Sequence, residues 1–157
     1  MHSNSSFSDL YERKRYVEAH NLCDGAIRDD ECDYRAYHNK AKLFARERKW
    51  EEAFSLIDKA ISINKEPVFF FNKARWLLEL GYFDNVIECA ESGIQVGIDN
   101  SYYYYEESLY LLKAYSELQL NLIDDCLTSL KNVRGEVSIR IDRKMCSKED
   151  IVSSISK

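Results

Sequence analysis

The segment that decides the fold is WEEAFSLIDKA, residues 50–60, because its pattern of large and small side chains recurs on both sides of it. Its pattern positions are Trp50, Ala53, Ile57 and Ala60. The same spacing occurs 34 positions earlier as Tyr16, Ala19, Cys23 and Ala26, and 33 positions later as Phe83, Val86, Ala90 and Gly93. A second block agrees, since Asn39-Lys40-Ala41 returns 33 positions later as Asn72-Lys73-Ala74. A period of this length indicates an array of similar structural units.

Each unit divides into two segments with the apolar spacing of an α-helix, separated by a short polar turn. In the unit around residue 50, these segments are residues 34–47 and 51–63, and Arg48-Lys49 forms the turn. Ala41 and Ala53 are expected to face each other, because only small side chains let two helices approach closely. Ala60 and Gly93 are expected to leave room for the first helix of the next unit. One hairpin cannot bury its apolar face alone, so several must stack.

This arrangement of small and aromatic residues in a unit of about 34 residues resembles the tetratricopeptide repeat family. The resemblance implies an all-α fold of antiparallel helix hairpins, stacked as a short right-handed solenoid of about three to four units with a C-terminal capping segment. We expect a single domain spanning residues 1–157. Its predicted parts are units at about 1–33, 34–66, 67–100 and 101–134, followed by a cap at 135–157.

The fourth unit departs from the period. Ala114 lies 40 positions after Ala74, which predicts extra residues around 97–105 that lengthen a loop or a helix. We expect a long first helix over 102–120 and a second helix over 123–132. In the cap, residues 137–141 alternate like a short strand, and residues 147–155 have the pattern of a closing helix. Ser147 and Asp150 have the spacing of a capping box at the start of that helix.

Composition limits the classes of function. Five Gly and one Pro are typical of helices joined by short turns, and the net charge of -5 should repel nucleic acid and anionic lipid. We therefore expect neither a nucleic-acid nor a membrane partner, and any basic site must be local. Five widely spaced cysteines without a CxxC pair argue against a disulfide framework and a standard zinc site. The first residues lack the pattern of a secretory signal, so we expect a cytoplasmic protein.

Catalytic motifs are nearly absent from the sequence. The histidines are His2, His20 and His38, and only His20 has a thiol at helical spacing, in Cys23. Such a pair can serve as base and nucleophile or as half of a metal site. Because Cys23 occupies a repeat core position, we favour a packing role for it. The sequence has no phosphate-binding loop and no metalloprotease or esterase motif. We expect a protein that is not an enzyme and has no cofactor and no metal.

The candidate binding residues come from the resemblance, which implies that first helices of the units line a concave groove. In the second unit the matching positions are basic, and in the third they add an aromatic ring and another cation. The predicted partner-binding residues are Arg35, His38, Lys42, Arg46, Phe71 and Arg75. In the first unit the same face has Asn4, Ser8 and Tyr11. We expect an acidic or carboxylate-ended peptide with an apolar anchor to bind there. The alternative is a solvated helix face neutralised by Glu47, Glu51 and Glu79.

The predicted function is a non-catalytic protein-protein interaction module that binds a partner protein or peptide. An adaptor, a co-chaperone and an inhibitor or immunity-type protein all fit, although the carboxylate clamp of some tetratricopeptide domains is matched only by Asn39. The alternative is a self-associating structural subunit of a larger assembly. The tyrosine run 102–105, with Tyr110 and Tyr115, is a second candidate surface and allows a homo-oligomer.

Overall fold

The structure is a computed structural model that describes residues 6–142 and 144–156. His2 and Asn4 therefore lie outside the described residues. The chain forms two compact units, unit 1 (Met1–Lys65) and unit 2 (Glu66–Lys157). The expectation of a single domain stays a prediction.

Unit 1 consists of two consecutive helical hairpins. Its helices are α1 (Phe7–Glu12), α2 (Tyr16–Asp29), α3 (Tyr34–Arg46) and α4 (Trp50–Ile63). The side chain of Asp33 caps α3 by accepting a hydrogen bond from the Ala36 amide at 3.0 Å. Lys14 and Arg48 adopt positive φ angles of 59° in the two hairpin turns. This conformation lets the chain reverse direction within three residues in each turn.

The core of unit 1 contains the small residues that the repeat predicted. Ala19, Ala41, Ala53 and Ala60 are all fully buried. Leu10, Ala19, Cys23 and Leu43 form one cluster, and Phe7, Tyr11 and Tyr16 pack against it while remaining partly exposed. The predicted hairpin around residue 50 is therefore confirmed, and its small residues Ala41 and Ala53 are buried.

Unit 2 contains two helical hairpins and a terminal segment. Its elements are α5 (Pro67–Glu79), α6 (Phe83–Asp99), α7 (Glu106–Gln119), α8 (Ile123–Leu130), β1 (Ser138–Ile141), β2 (Lys144–Ser147) and α9 (Lys148–Ile155). Pro67 is the first residue of α5, a position where its fixed φ suits a helix and no amide is needed. An ideal Cβ added at Gly93 would lie 2.7 Å from Phe70 Cβ and 3.0 Å from Leu109 Cδ1. Gly93 thus leaves room for α7, as predicted.

The tyrosine run is not helical, so the prediction of a helix over 102–120 is wrong at its start. α6 continues to Asp99 and α7 begins at Glu106, so the extra residues lengthen both a helix and a loop. The loop turns back because the Tyr102 amide donates to the Gly97 carbonyl at 2.8 Å. A Cβ at Gly97 would lie 2.9 Å from the Tyr102 carbonyl oxygen. The absence of that atom is what allows the loop to lie so close to α6.

The C-terminal segment packs on α7. β1 pairs antiparallel with β2, with Ser138 opposite Ser147 and Ile141 opposite Lys144. β1 and α9 both contact α7, and Ile139 and Ile151 are buried. The predicted strand, closing helix and Ser147–Asp150 capping box are confirmed. The sequence did not predict β2, because KMCS has no alternation of apolar and polar residues.

No helix in the described part of the chain has the length and apolar character needed to cross a membrane.

Candidate functional site

The predicted basic stripe lies along α3 in unit 1. Arg35, His38, Lys42 and Arg46 follow one another at spacings of three and four residues, so they share one side of the helix. Arg35 and Arg46 are exposed, whereas His38 and Lys42 are half-buried. The stripe therefore presents its charge mainly at its two ends.

Aromatic rings from α1 and α2 hold the C-terminal half of the stripe. Lys42 Nζ lies 5.3 Å from the ring centre of Phe7 and 5.2 Å from that of Tyr11. Arg46 Cζ lies 3.9 Å from the ring centre of Tyr16. Cations over ring faces at these distances are attracted by the ring quadrupole, by about 0.5–1 kcal/mol at exposed sites. The rings fix the positions of both side chains without neutralising their charge.

A third cation of the stripe, Arg35, lies over the ring of the preceding residue, Tyr34, at 5.2 Å. Two residues of the first predicted repeat were also expected on this face. Ser8 is exposed on α1, and the ring of Tyr11 lies beneath Lys42. The sequence identified these positions but gave no sign that the tyrosine would support the lysine.

Arg35, Lys42 and Arg46 form no ion pair with any residue that the structure describes. Several other cations of unit 1 are paired with carboxylates. They are Arg13 with Asp9, Arg15 with Glu18, Lys40 with Asp24 and Lys49 with Glu47. Glu47, which the sequence suggested as a neutralising group, accepts instead from Lys49 at 2.8 Å and contacts His20 Nε2 at 2.9 Å. The stripe keeps its positive charge within this unit.

Burial changes the titration of the middle of the stripe. Burial, together with the smaller effect of the neighbouring Lys42 ammonium, lowers the pKa of His38 to about 4. His38 is therefore neutral near pH 7 and contributes hydrogen bonding but no charge. Burial also lowers the pKa of Lys42. Arg35 and Arg46, which are exposed, therefore carry most of the charge that the stripe presents.

Phe71 and Arg75 form a separate group on α5 in unit 2. Arg75 Cζ lies 5.6 Å from the ring centre of Phe71, and that ring lies 5.1 Å from the ring of Tyr105. Phe71 is half-buried and Arg75 is exposed. The predicted aromatic platform with an adjacent cation is therefore present.

A pocket of about 270 Å³ opens beside this group, between the start of α5 and the loop that follows α6. It is lined by Glu66, Pro67, Val68, Asn100, Tyr102 and Tyr105. The sequence drew attention to the tyrosines as a surface but placed them on a helix, so it missed the pocket. Gly97 was the available signal, because a glycine inside a helical pattern often marks a close backbone approach.

The structure offers no support for chemistry at the His20–Cys23 pair. His20 Nε2 is bonded to Glu47, and its ring packs edge-on against Phe44 at 5.1 Å. Cys23 is buried, and burial raises the pKa of its thiol to about 11, which opposes formation of a nucleophilic thiolate. Within the described residues, no group of three or more histidine, cysteine and acidic side chains has a metal-binding arrangement.

No protein-family profile matches the chain, but the chain is similar to a curated protein and to a solved structure. The chain is 26% identical over 131 residues to TPR repeat-containing protein MJ1428 of Methanocaldococcus jannaschii. That match covers 83% of the chain but only 23% of the relative. The solved structure named MamA MSR-1 C2 aligns with a TM-score of 0.63 at 17% identity. It covers 81% of the chain and 70% of that structure. With its repeated hairpins and these similarities, the chain has a tetratricopeptide-like helical repeat fold.

Proposed function

We propose that this protein is a non-catalytic protein-protein interaction module whose α3 face in unit 1 binds an acidic segment of a partner protein. The observation that carries the proposal is the set of three α3 cations that lie over aromatic rings and pair with no carboxylate among the described residues. An acidic partner supplies the missing anions. Binding of a partner at this face is compatible with an adaptor, a co-chaperone or an inhibitor role. We also propose that the protein is cytoplasmic.

The geometry of α3 sets the length of the bound segment. Arg35 and Arg46 are 11 residues apart, which corresponds to about 16 Å along a helix. An extended peptide of about five residues covers that distance. The rings beneath Lys42 and Arg46 restrict both side chains before binding, so less conformational entropy is lost when a carboxylate arrives. In unit 2, Phe71 and Arg75 are proposed to contact an apolar side chain of a partner beside an anionic group.

The test compares two double variants that remove the same charge. Arg35→Gln with Arg46→Gln should weaken binding of a fluorescein-labelled oligoglutamate peptide about tenfold at low ionic strength, as measured by fluorescence anisotropy. Arg28→Gln with Lys59→Gln is the control, because both residues are exposed in unit 1 and lie outside the stripe. An oligoglutamine peptide should not bind. Equal loss in the two double variants would show that only overall charge matters and would reject the α3 site.

The alternative function, a self-associating structural subunit, is favoured by the exposed tyrosines of unit 2. Tyr103 and Tyr104 are 53% and 76% exposed, and exposed tyrosines are common at protein interfaces. Light scattering over a range of concentrations distinguishes this function from the first. A molecular mass that stays at that of one 18.4 kDa chain rejects it.

A further inference from the structure

We infer that the pocket at the start of α5 is a binding site for one cationic side chain, the ammonium or guanidinium group of a partner's lysine or arginine. This goes beyond the proposed function, because the α3 face selects negative charge and this pocket selects positive charge. The α3 site and this pocket rest on different residues in different units.

The tyrosine loop gives the pocket its aromatic character. Tyr102 and Tyr105 line it, and their ring centres are 6.4 Å apart. Tyr104 stacks with Tyr102 at 6.4 Å and meets Tyr105 edge-on at 4.9 Å. On a helix these rings would point in different directions, but the turn of the loop onto Gly97 gathers them. Clustered tyrosine rings attract a cation through their negative faces, and more strongly as water is excluded.

The charged residue that lines the pocket also favours a cation. The six lining residues include one carboxylate, Glu66, and no cationic side chain. Asp99 and Glu106 flank the tyrosine loop in the sequence, at the end of α6 and the start of α7. Arg75 lies over Phe71, and neither of these residues lines the pocket. A bound cation would therefore meet a carboxylate and aromatic rings.

An anion is a poor fit, although the pocket adjoins a helix N-terminus. Such a terminus binds anions through its amide groups, but Pro67 has no amide hydrogen and Glu66 brings a negative charge to the same place. The volume of about 270 Å³ lies at the lower limit of small-molecule sites, which occupy about 300–1,000 Å³. A cationic side chain matches the charge of the pocket, and the volume is small for a larger ligand.

The experiment uses N-acetyl-lysine methylamide as the probe, with counterparts in which norleucine or glutamate replaces lysine. In an amide NMR titration of the full chain, the lysine probe should shift the resonances of Gly97 and Tyr102, and both counterparts should bind at least about threefold more weakly. Norleucine binding as tightly as lysine would show an apolar pocket. Tighter glutamate binding, or no binding of the lysine probe, would likewise overturn the proposal.

Substitutions at the lining residues test whether the lysine probe binds in the pocket. Glu66→Gln and Tyr102→Leu should each weaken lysine binding about fivefold. The Glu66 side chain makes no capping hydrogen bond to α5, so its replacement removes no cap from that helix. Tyr103→Leu is the control, because Tyr103 is exposed and does not line the pocket. If Tyr103→Leu reduces binding as much as Tyr102→Leu, the pocket is not the site. Arg35→Gln with Arg46→Gln should bind the lysine probe normally, which separates this proposal from that for α3.

Discussion

Arg46 and His38 show that basic residues on one helix face can differ in what they offer a partner. The Arg46 guanidinium lies over the Tyr16 ring, exposed and charged, whereas burial of His38 favours its neutral form. From their spacing in the sequence, both residues are equally good candidates for binding a partner. The difference comes from the depth of each side chain, which changes the free energy of carrying a charge.

At the residue scale, we predict that His38 makes the folded protein less stable in mild acid. The pKa of its side chain is about 4 in the folded chain and about 6.5 in the unfolded chain. The unfolded chain therefore takes up a proton first as the pH falls. The stabilising contribution is complete above about pH 6.5 and is lost as the pH falls towards 4. At pH 4.5 this should lower the free energy of unfolding by about 2 kcal/mol.

The control for this prediction is His38→Gln, which cannot take up the proton. Urea unfolding of both proteins at pH 7 and pH 4.5 isolates the histidine, because the acidic residues titrate equally in each. The wild type should lose more stability than the variant between the two pH values. Equal losses would mean that His38 has an ordinary pKa in the folded chain.

At the scale of the element, two helical glycines have opposite roles. Gly25 lies within α2 and Gly93 within α6, and both reduce the intrinsic stability of their helices. An ideal Cβ at Gly25 meets no atom within 4 Å. The same atom at Gly93 overlaps Phe70 Cβ at 2.7 Å, and that atom is fixed to the α5 backbone. Only Gly93 is needed for two helices to approach.

We therefore predict that the same substitution has opposite effects at these two positions. Gly93→Ala should lower the free energy of unfolding by about 1–3 kcal/mol through overpacking between α5, α6 and α7. Gly25→Ala should raise it by about 0.5–1 kcal/mol, because alanine restricts the unfolded chain and favours the helix. Urea unfolding followed by circular dichroism measures both changes. A stabilised Gly93→Ala variant would contradict the close packing described for α6.

At the scale of the whole molecule, each compact unit contains one tryptophan. Trp50 begins α4 in unit 1, and Trp76 lies on α5 in unit 2. In the Trp76→Phe variant the remaining tryptophan, Trp50, reports on unit 1. In the Trp50→Phe variant the remaining tryptophan, Trp76, reports on unit 2. The predicted single domain requires that the two units unfold together.

We predict that the two reporters give the same urea midpoint when each is compared with circular dichroism of the same variant. Comparison within one variant removes the effect of the substitution on stability. A fluorescence transition displaced from the circular dichroism transition in either variant would mean that the units unfold separately, as repeat arrays do when coupling between neighbours is weak. The expectation of one domain would then be wrong.

Much of the fold follows from the sequence because it depends on local patterns. The spacing of Trp50, Ala53, Ile57 and Ala60 predicts helical hairpins, since small residues at fixed intervals are what closely packed helices require. The capping box at Ser147 and Asp150 likewise depends on residues three positions apart. Each of these features is decided within about three helical turns of sequence, so the sequence alone determined them.

The candidate site depended on tertiary structure, because its properties come from residues far apart in the sequence. Tyr11 lies 31 positions before Lys42, yet its ring supports that ammonium group. The sequence places the tyrosine run on a helix, but the Tyr102 amide bonds to the Gly97 carbonyl and turns the chain into the wall of a pocket. Burial, ring contacts and backbone reversals of this kind depend on which surfaces meet. Periodicity indicates which residues share a face, and only the packed structure shows how deeply each is buried and what it contacts.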